Sequence, residues 1–416
     1  MDDGHGGDRC SSGRFGRSVL AAEPPGPNGE YEPSQELIST ANFTRRKREL
    51  MFNRKRSALR AGEWVQVRTK QEILATLDAQ GRLDGLPFMP EMFAFCGKRL
   101  RVDKRAHKVC DPSREIHSRR MESAVHLEGV RCDGAEHGGC QARCLIFWKE
   151  AWLCRVSDPS WFHPTPASGR RVDGQCTEGA VQAATSRTDP DCGEAVYNCQ
   201  STSLPEATER WRTFDVRQYI EDYTSGNVSL RELLSVFCFW VYSRAVSARI
   251  GLATPLRWFY NSVQNLRNGT PYPLVRGRIP NGGETPVGRL NVQPGELVKI
   301  RSQQEIHASI DQRGRNRGLV FDVEMAPYCG GTYRVLDRVT SIIDERTGRL
   351  LKLKSDCIML EGVVCRSRYS HCRRFCSRRI YSFWREIWLE RVSPREVNHE
   401  ENCGGYAGTT LVQHGD

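Results

Sequence analysis

A stretch of this chain is written twice. At an offset of 233 residues, Gly62-Glu63-Trp64-Val65-Gln66-Val67-Arg68 falls on Gly295-Glu296-Leu297-Val298-Lys299-Ile300-Arg301. Without a gap, Glu72-Ile73 meets Glu305-Ile306, Glu91-Met92 meets Glu324-Met325 and Cys96-Gly97 meets Cys329-Gly330. Leu127-Glu128-Gly129-Val130 likewise meets Leu360-Glu361-Gly362-Val363. After small length changes, the copies end together on Trp148-Lys149-Glu150-Ala151-Trp152-Leu153 and Trp384-Arg385-Glu386-Ile387-Trp388-Leu389. The repeat runs over 62–156 and 295–392. Whatever fold the first copy adopts, the second must satisfy the same local rules, so the chain contains one module twice.

Local patterns describe that module. Val65 and Val67 alternate with Gln66 and Arg68, and Val298 and Ile300 with Lys299 and Arg301, the period of a half-buried strand. Thr69 with Glu72, and Ser302 with Glu305, have the spacing of a capping box, in which hydroxyl and carboxylate satisfy free backbone N–H groups. A short helix then buries Ile73 and Leu77, or Ile306 and Ile310, and stops near Gly81 or Gly314. Further strands are expected at 99–102, 126–131 and 150–156. These short strands around tight turns predict an α+β protein with two small β-barrel-like, SH3-like modules, joined by a linker and a buried helical segment.

The 17 cysteines supply the chemistry. Four are shared by the copies: Cys96 with Cys329, Cys132 with Cys365, Cys140 with Cys372, and Cys144 with Cys376. Four thiols are the ligand count of a closed tetrahedral metal site. The x₃ spacing of Cys140–Cys144 and Cys372–Cys376 lets two sulfurs reach one ion. His137 and His371 are alternative donors to the distant Cys96 and Cys329. Zinc suits an all-thiolate site, an iron–sulfur cluster uses the same ligands, and buried unliganded thiols or disulfides are the remaining readings. Cys110, facing Ile343, has no thiol counterpart; nor do Cys154 and Cys357. Cys176 and Cys199, outside the copies, flank a linker from which they can fold back on the first site. Glu91 and Glu324 precede the Cys-Gly steps as candidate bases or outer-shell partners of a metal.

Around the copies the composition changes. Residues 1–60 read as a disordered basic tail, 61–157 as the first module, 158–210 as a Pro/Ser/Thr/Gly linker with few packed elements, 211–290 as a helical connector, 291–394 as the second module and 395–416 as a tail. In the connector Ser229 and Glu232 form another capping pair, with Val228 and Leu233 spaced as a hydrophobic staple. The helix that follows reaches about Ala248; it is apolar on most faces and so is expected to be buried, and a second covers Leu256 to Leu266. Its longest apolar run, Leu233 to Tyr242, is short of the roughly 20 residues a membrane span needs. The start Met1-Asp2-Asp3-Gly4 has no basic region leading into an apolar run. These features predict a cytoplasmic protein without a membrane partner. The net charge of +11, with Arg366, Arg368, Arg373, Arg374, Arg378 and Arg379 near the second site, points to a protein or anionic partner.

The strings Leu86-Pro87-Phe88-Met89-Pro90-Glu91-Met92, His137-Gly138-Gly139-Cys140, Tyr328-Cys329-Gly330-Gly331 and Tyr369-Ser370-His371-Cys372 resemble a family of uncharacterised bacterial proteins. Such proteins carry a duplicated cysteine-containing module and accompany biosynthetic gene clusters. The resemblance runs from Gly62 to Val392 and implies a bacterial cytosolic protein, with no activity or ligand set attached. No Gly-rich phosphate loop, HExxH or Ser-centred elbow occurs, and no residue is assigned a catalytic role. The expectation is a metal-stabilised binding or scaffold protein. A metal- or iron–sulfur-dependent tailoring enzyme of a biosynthetic pathway is the alternative, and nucleic-acid binding through the basic tail and second module is another.

Overall fold

The computed structural model describes residues 58–392, apart from 112–114, 157–175, 213–214, 249–250, 268, 270, 274 and 371–372. The basic tail up to Ser57 and the tail after 394 therefore lie outside the described residues. Each copy builds one antiparallel sheet of five strands. In the first these are β1 (Trp64–Val67), β2 (Arg99–Arg105), β3 (Ala124–Leu127), β4 (Trp148–Lys149) and β5 (Leu153–Arg155), ordered β4-β3-β2-β1-β5. In the second, β6 (Leu297–Ile300), β7 (Thr332–Ile343), β8 (Leu350–Val364), β9 (Tyr381–Trp384) and β10 (Leu389–Arg391) take the equivalent order β9-β8-β7-β6-β10. Registers repeat as well: Val102 opposes Leu127 where Val335 opposes Leu360, and Val125 opposes Trp148 where Ile358 opposes Trp384.

Among the described residues neither sheet closes into a barrel. The edge strands β4 and β5 are joined by a single 3₁₀ turn, Glu150–Trp152, and β9 and β10 by Glu386–Trp388, without pairing to each other. The expected barrel is instead an open five-stranded sheet in each copy, a four-stranded meander with β5 added beside β1 and β10 beside β6. The expected strand at 126–131 also ends earlier, at Leu127, where Gly129 takes φ 72° and turns the chain.

The predicted helices form where their caps lie. Helix α1 (Lys70–Leu74) starts on the Thr69–Glu72 box, and α5 (Gln303–Ser309) on Ser302–Glu305. Ile73, Leu77, Ile306 and Ile310 are all fully buried. The aromatic cores match: Trp152 meets Phe88 edge-on at 5.1 Å, and Trp388 meets Phe321 at 5.7 Å. Trp152 Nε1 donates to Thr76 Oγ1 at 3.1 Å, and Trp388 Nε1 to Ser309 Oγ at 2.9 Å. Pairing the indole N–H lets each ring be buried without an orphaned donor.

Two expectations between the copies are corrected. The described part of the expected linker, 176–210, packs on the first module: Leu204, in the short helix Leu204–Ala207, joins that core fully buried, as does Val181 of Glu178–Ala183. Gln200 locks the segment in place by donating to the carbonyls of Phe147 and Pro87 and accepting from Phe147 N–H at 2.7 Å. The connector helices α2 (Arg217–Thr224), α3 (Leu230–Ser247) and α4 (Ala253–Leu266) are not buried as expected. Only Val236, Ser243 and Val246 of α3 are buried, while Leu234 is 53% and Phe237 57% exposed. A helix apolar all round buries only the faces that find partners; among the described residues α3 packs on α2, α4 and the second module, and these leave Leu234 and Phe237 outside. Among the described residues no helix is long and apolar enough to cross a membrane.

Candidate metal centres and an apolar groove

The first thiol cluster is built by a loop that folds back on itself. After β3, Cys132 N–H donates to Cys144 carbonyl oxygen at 2.9 Å, and Arg131 bridges Leu145, so both ends of the knuckle meet. Between them Gly134, at φ 79°, lets the chain double back. A Cβ there would lie 1.9 Å from the Cys140 carbonyl oxygen, so only glycine fits. The turn Ala135–His137 then places His137 Nδ1 3.7 Å from Cys132 Sγ. Cys199 arrives from the packed segment beside Gln200, and Ser201 Oγ donates to Cys144 Sγ at 3.6 Å.

A cavity of about 40 Å³ is lined by Cys132, Cys140, Cys144 and Cys199, with Glu91 and His137 on its wall. Burial pushes the Cys132 and Cys144 thiols up, and Cys199 up to about 12. Burial likewise raises Glu91 and lowers His137, which favours their neutral forms. The Glu91 carboxylate oxygens and His137 Nε2 are buried without a hydrogen-bond partner. Buried polar atoms are rarely left so, because each forfeits its hydration. Glu91, Cys132 and His137 are the only such group among the described residues whose ligand atoms all lie within 4.8 Å of one another. A cation placed here would reverse the pressure for neutrality by binding deprotonated sulfur.

The second cluster is formed between the copies. Cys110 N–H donates to Cys376 Sγ at 3.1 Å, and the two thiols hydrogen-bond each other. Cys365 lies near both, its thiol raised by burial to about 12. For Cys376 burial opposes ionisation, but the Cys110 thiol, the Arg378 N–H and the Arg378 charge outweigh it and bring the thiol down. Glu324, equivalent to Glu91, instead accepts the N–H groups of Arg368, Tyr369 and Ser370 at 2.6–3.0 Å.

Of the eight cysteines singled out by the repeat, Cys132, Cys140 and Cys144 come together, as do Cys365 and Cys376. Cys372, with His371, lies outside the described residues. Cys96 and Cys329 do not join their clusters: Cys96 sits by Lys70 and Glu178, and Cys329 faces the Met325 carbonyl at 4.0 Å. Both follow a 3₁₀ turn, Pro90–Phe95 or Ala326–Tyr328, and of the first turn it is Glu91 and not Cys96 that lines the cavity. Cys176 is buried in the first core rather than at the site. The repeat gave no reason to place Cys110 or Cys199 at a site.

The arginines expected to face an anion are mostly spent inside the molecule. Arg373 pairs with Asp322 at 2.6 Å, Arg378 with Glu345 at 2.6 Å and Arg379 with Asp103 at 3.0 Å. Arg366 donates to Tyr328 Oη and Arg368 to Ser235 Oγ. Arg374 is the exception, its guanidinium 5.5 Å from the Trp240 ring. It borders a groove of about 850 Å³ between α2 and α3, floored by Tyr219, Leu233 and Val236 and walled by Ile220, Leu234 and Phe237. Arg244 stands at the same rim, and no carboxylate of the described residues lines the groove. Neither arginine has an ion-pair partner among the described residues.

No family model matches this chain, and neither a curated protein nor a solved structure matches it. The functional reading therefore rests on the thiol clusters and the groove.

Proposed function

We propose that this is a non-catalytic binding protein. In this reading each copy is an SH3-like module, thiolate-bound metal holds the pair as a frame, and the connector helices dock an acidic amphipathic helix of a partner protein. The observation that carries it is the groove. Folded monomers rarely expose apolar patches beyond a few hundred Å², and those that do use them for contacts. A furrow between two helices, with apolar side chains at successive turns, matches the helix-in-groove mode of recognition. Unpaired Arg244 and Arg374 at a rim free of carboxylates select for acidic residues flanking the apolar stripe.

The test is fluorescence anisotropy with a labelled amphipathic peptide carrying Leu on one face and Glu on the other. The Glu peptide should bind at least ten-fold tighter than its Lys counterpart. Leu234→Glu, a change at an exposed position, should abolish binding, and Arg244→Glu should remove the preference for acid. Binding indifferent to Leu234→Glu would overturn the reading, as would sedimentation showing that the face is covered by a second copy.

A further inference from the structure

We propose that the first copy alone holds a divalent ion of the zinc class, bound by Glu91, Cys132 and one ring nitrogen of His137. The inference rests on the metal-stabilised frame proposed above, which it narrows to a single mixed-donor site, and not on the groove.

Three separate elements deliver these side chains. Glu91 comes from the 3₁₀ turn Pro90–Phe95, Cys132 from the loop after β3, and His137 from the turn Ala135–His137 that Gly134 folds back. One ligand atom from each lies within 4.8 Å of the other two. A sulfur and a nitrogen bound tetrahedrally to one zinc ion stand about 3.6 Å apart, given bonds of about 2.3 and 2.0–2.1 Å. Cys132 Sγ and His137 Nδ1 are already 3.7 Å apart. Glu91 gives an independent sign. Both its oxygens are buried without a hydrogen-bond partner, and among the described residues no other carboxylate is left so. A buried carboxylate is costly unless a cation answers it. His137 is 1% exposed, and its Nε2 is unpartnered as well.

The repeat supplies its own comparison. Glu324 stands where Glu91 does, but it accepts the N–H groups of Arg368, Tyr369 and Ser370 at 2.6–3.0 Å, so its charge is already met. At the place of His137 the second copy has Tyr369 or Ser370, depending on which side of the one-residue length change is counted. Cys365 keeps the sulfur of Cys132, with Ser367 Oγ 3.4 Å away. The second loop is thus closed on its glutamate by backbone, and the first has a glutamate and a histidine that wait for a cation.

One carboxylate, one imidazole and one thiolate suit zinc; calcium and magnesium take oxygen ligands, and an iron–sulfur cluster needs several thiolates. Three protein ligands leave a fourth position for water. The adjoining cavity of about 40 Å³ admits it, since a single water needs only about 10–15 Å³ by the same measure. On binding, the Cys132 thiol and a protonated Glu91 release their protons to solvent as metal–sulfur and metal–oxygen bonds form. The ion would tie down the base of a loop whose Gln141 accepts the N–H groups of Thr340 and Ser341, and so brace the junction with the second copy.

Full-length protein supplied with zinc should hold one ion per chain by elemental analysis. X-ray absorption at the zinc edge should fit a single sulfur, with nitrogen and oxygen completing the shell. Glu91→Gln and His137→Ala should each weaken zinc by at least about 100-fold in competition with a chelator, beyond the roughly 10–100-fold typical of losing a partner that only supports a ligand. Cys144→Ser, which alters the same cavity, and Cys365→Ser, in the second copy, should keep the ion. Because a substituted chain can misfold, the absorption fit on the unsubstituted protein decides by itself. Two or more sulfurs on the ion, or two ions per chain, would overturn the inference and leave a metal-stabilised frame standing. Protein that takes up no zinc would overturn both. A chain that holds one ion through one sulfur but binds no acidic peptide would bear out the site and remove the docking reading alone.

Discussion

His126 is a single residue on which both modules lean. Its ring is fully buried, Nδ1 bonds the Ile146 carbonyl at 2.9 Å, and Nε2 meets Ser377 Oγ of the second copy at 3.2 Å. Burial outweighs the carbonyl bond and lowers its pKa from 6.5 to about 4. Between those values the unfolded chain binds a proton that the folded chain refuses, so stability must fall as pH drops from 6.5 towards 4. The full loss is roughly 3 kcal/mol for a shift of this size. Urea midpoints measured across that range should decline in the native protein, and His126→Asn should flatten the part of the slope due to this group. An unchanged slope in the variant would show that the imidazole titrates normally. At this scale the sequence was half legible. Cys132, Cys140 and Cys144 were found because the duplication repeats them. Cys110 was not, because its partner Cys376 lies 266 residues away and its own counterpart, Ile343, is not a cysteine. A repeat reports what two copies share, and a contact exchanged between them is what they do not.

Elements were more legible where their cause is local. Both capping boxes formed, and the Ser229 hydroxyl accepts Glu232 N–H at 3.2 Å to start α3. The exposure of α3 was not legible, since apolar composition states what a helix would bury and not what is available to bury it. The position of α2 has an equally non-local cause. Asp222, fully buried on α2, bonds His107 Nε2 at 2.9 Å and Lys108 Nζ at 2.5 Å, pinning the connector to the first module. Burial lowers the Lys108 pKa, and Asp222 opposes that effect. Removing the carboxylate with Asp222→Ala leaves a buried ammonium without its counter-ion, which costs about 3–5 kcal/mol. Chemical denaturation should show that loss, with the Tyr219 ring, 4.6 Å from Lys108 Nζ, recovering only a small part of it. A change below about 1 kcal/mol would mean that Lys108 is already neutral in the folded protein.

At the scale of the whole molecule, duplication has produced two modules that no longer stand alone. The packed segment 176–210 closes the first core, and the contact between copies is polar and specific. Gln141 Oε1 accepts the N–H groups of Thr340 and Ser341, and Ser377 N–H donates to the Lys108 carbonyl at 3.1 Å. Arg378 sits at the junction of all three parts. It is 3% exposed, pairs with Glu345 of its own copy, and donates to the Cys110 carbonyl and to Ser201 Oγ, both at 3.0 Å. Its charge is tolerable there because Glu345 balances it. Glu345→Ala should therefore cost about 3 kcal/mol, the low end for a broken buried pair, since the Glu345 side chain keeps some contact with water. The cost falls on the junction and not on either core. Calorimetry should accordingly show one transition for the native chain, because each module is held by contacts from the other. The variant should show two, with the first module and its packed segment separating from the second. A variant that still melts in one step, merely at a lower temperature, would place the cooperativity in the shared thiol cluster of Cys110, Cys365 and Cys376.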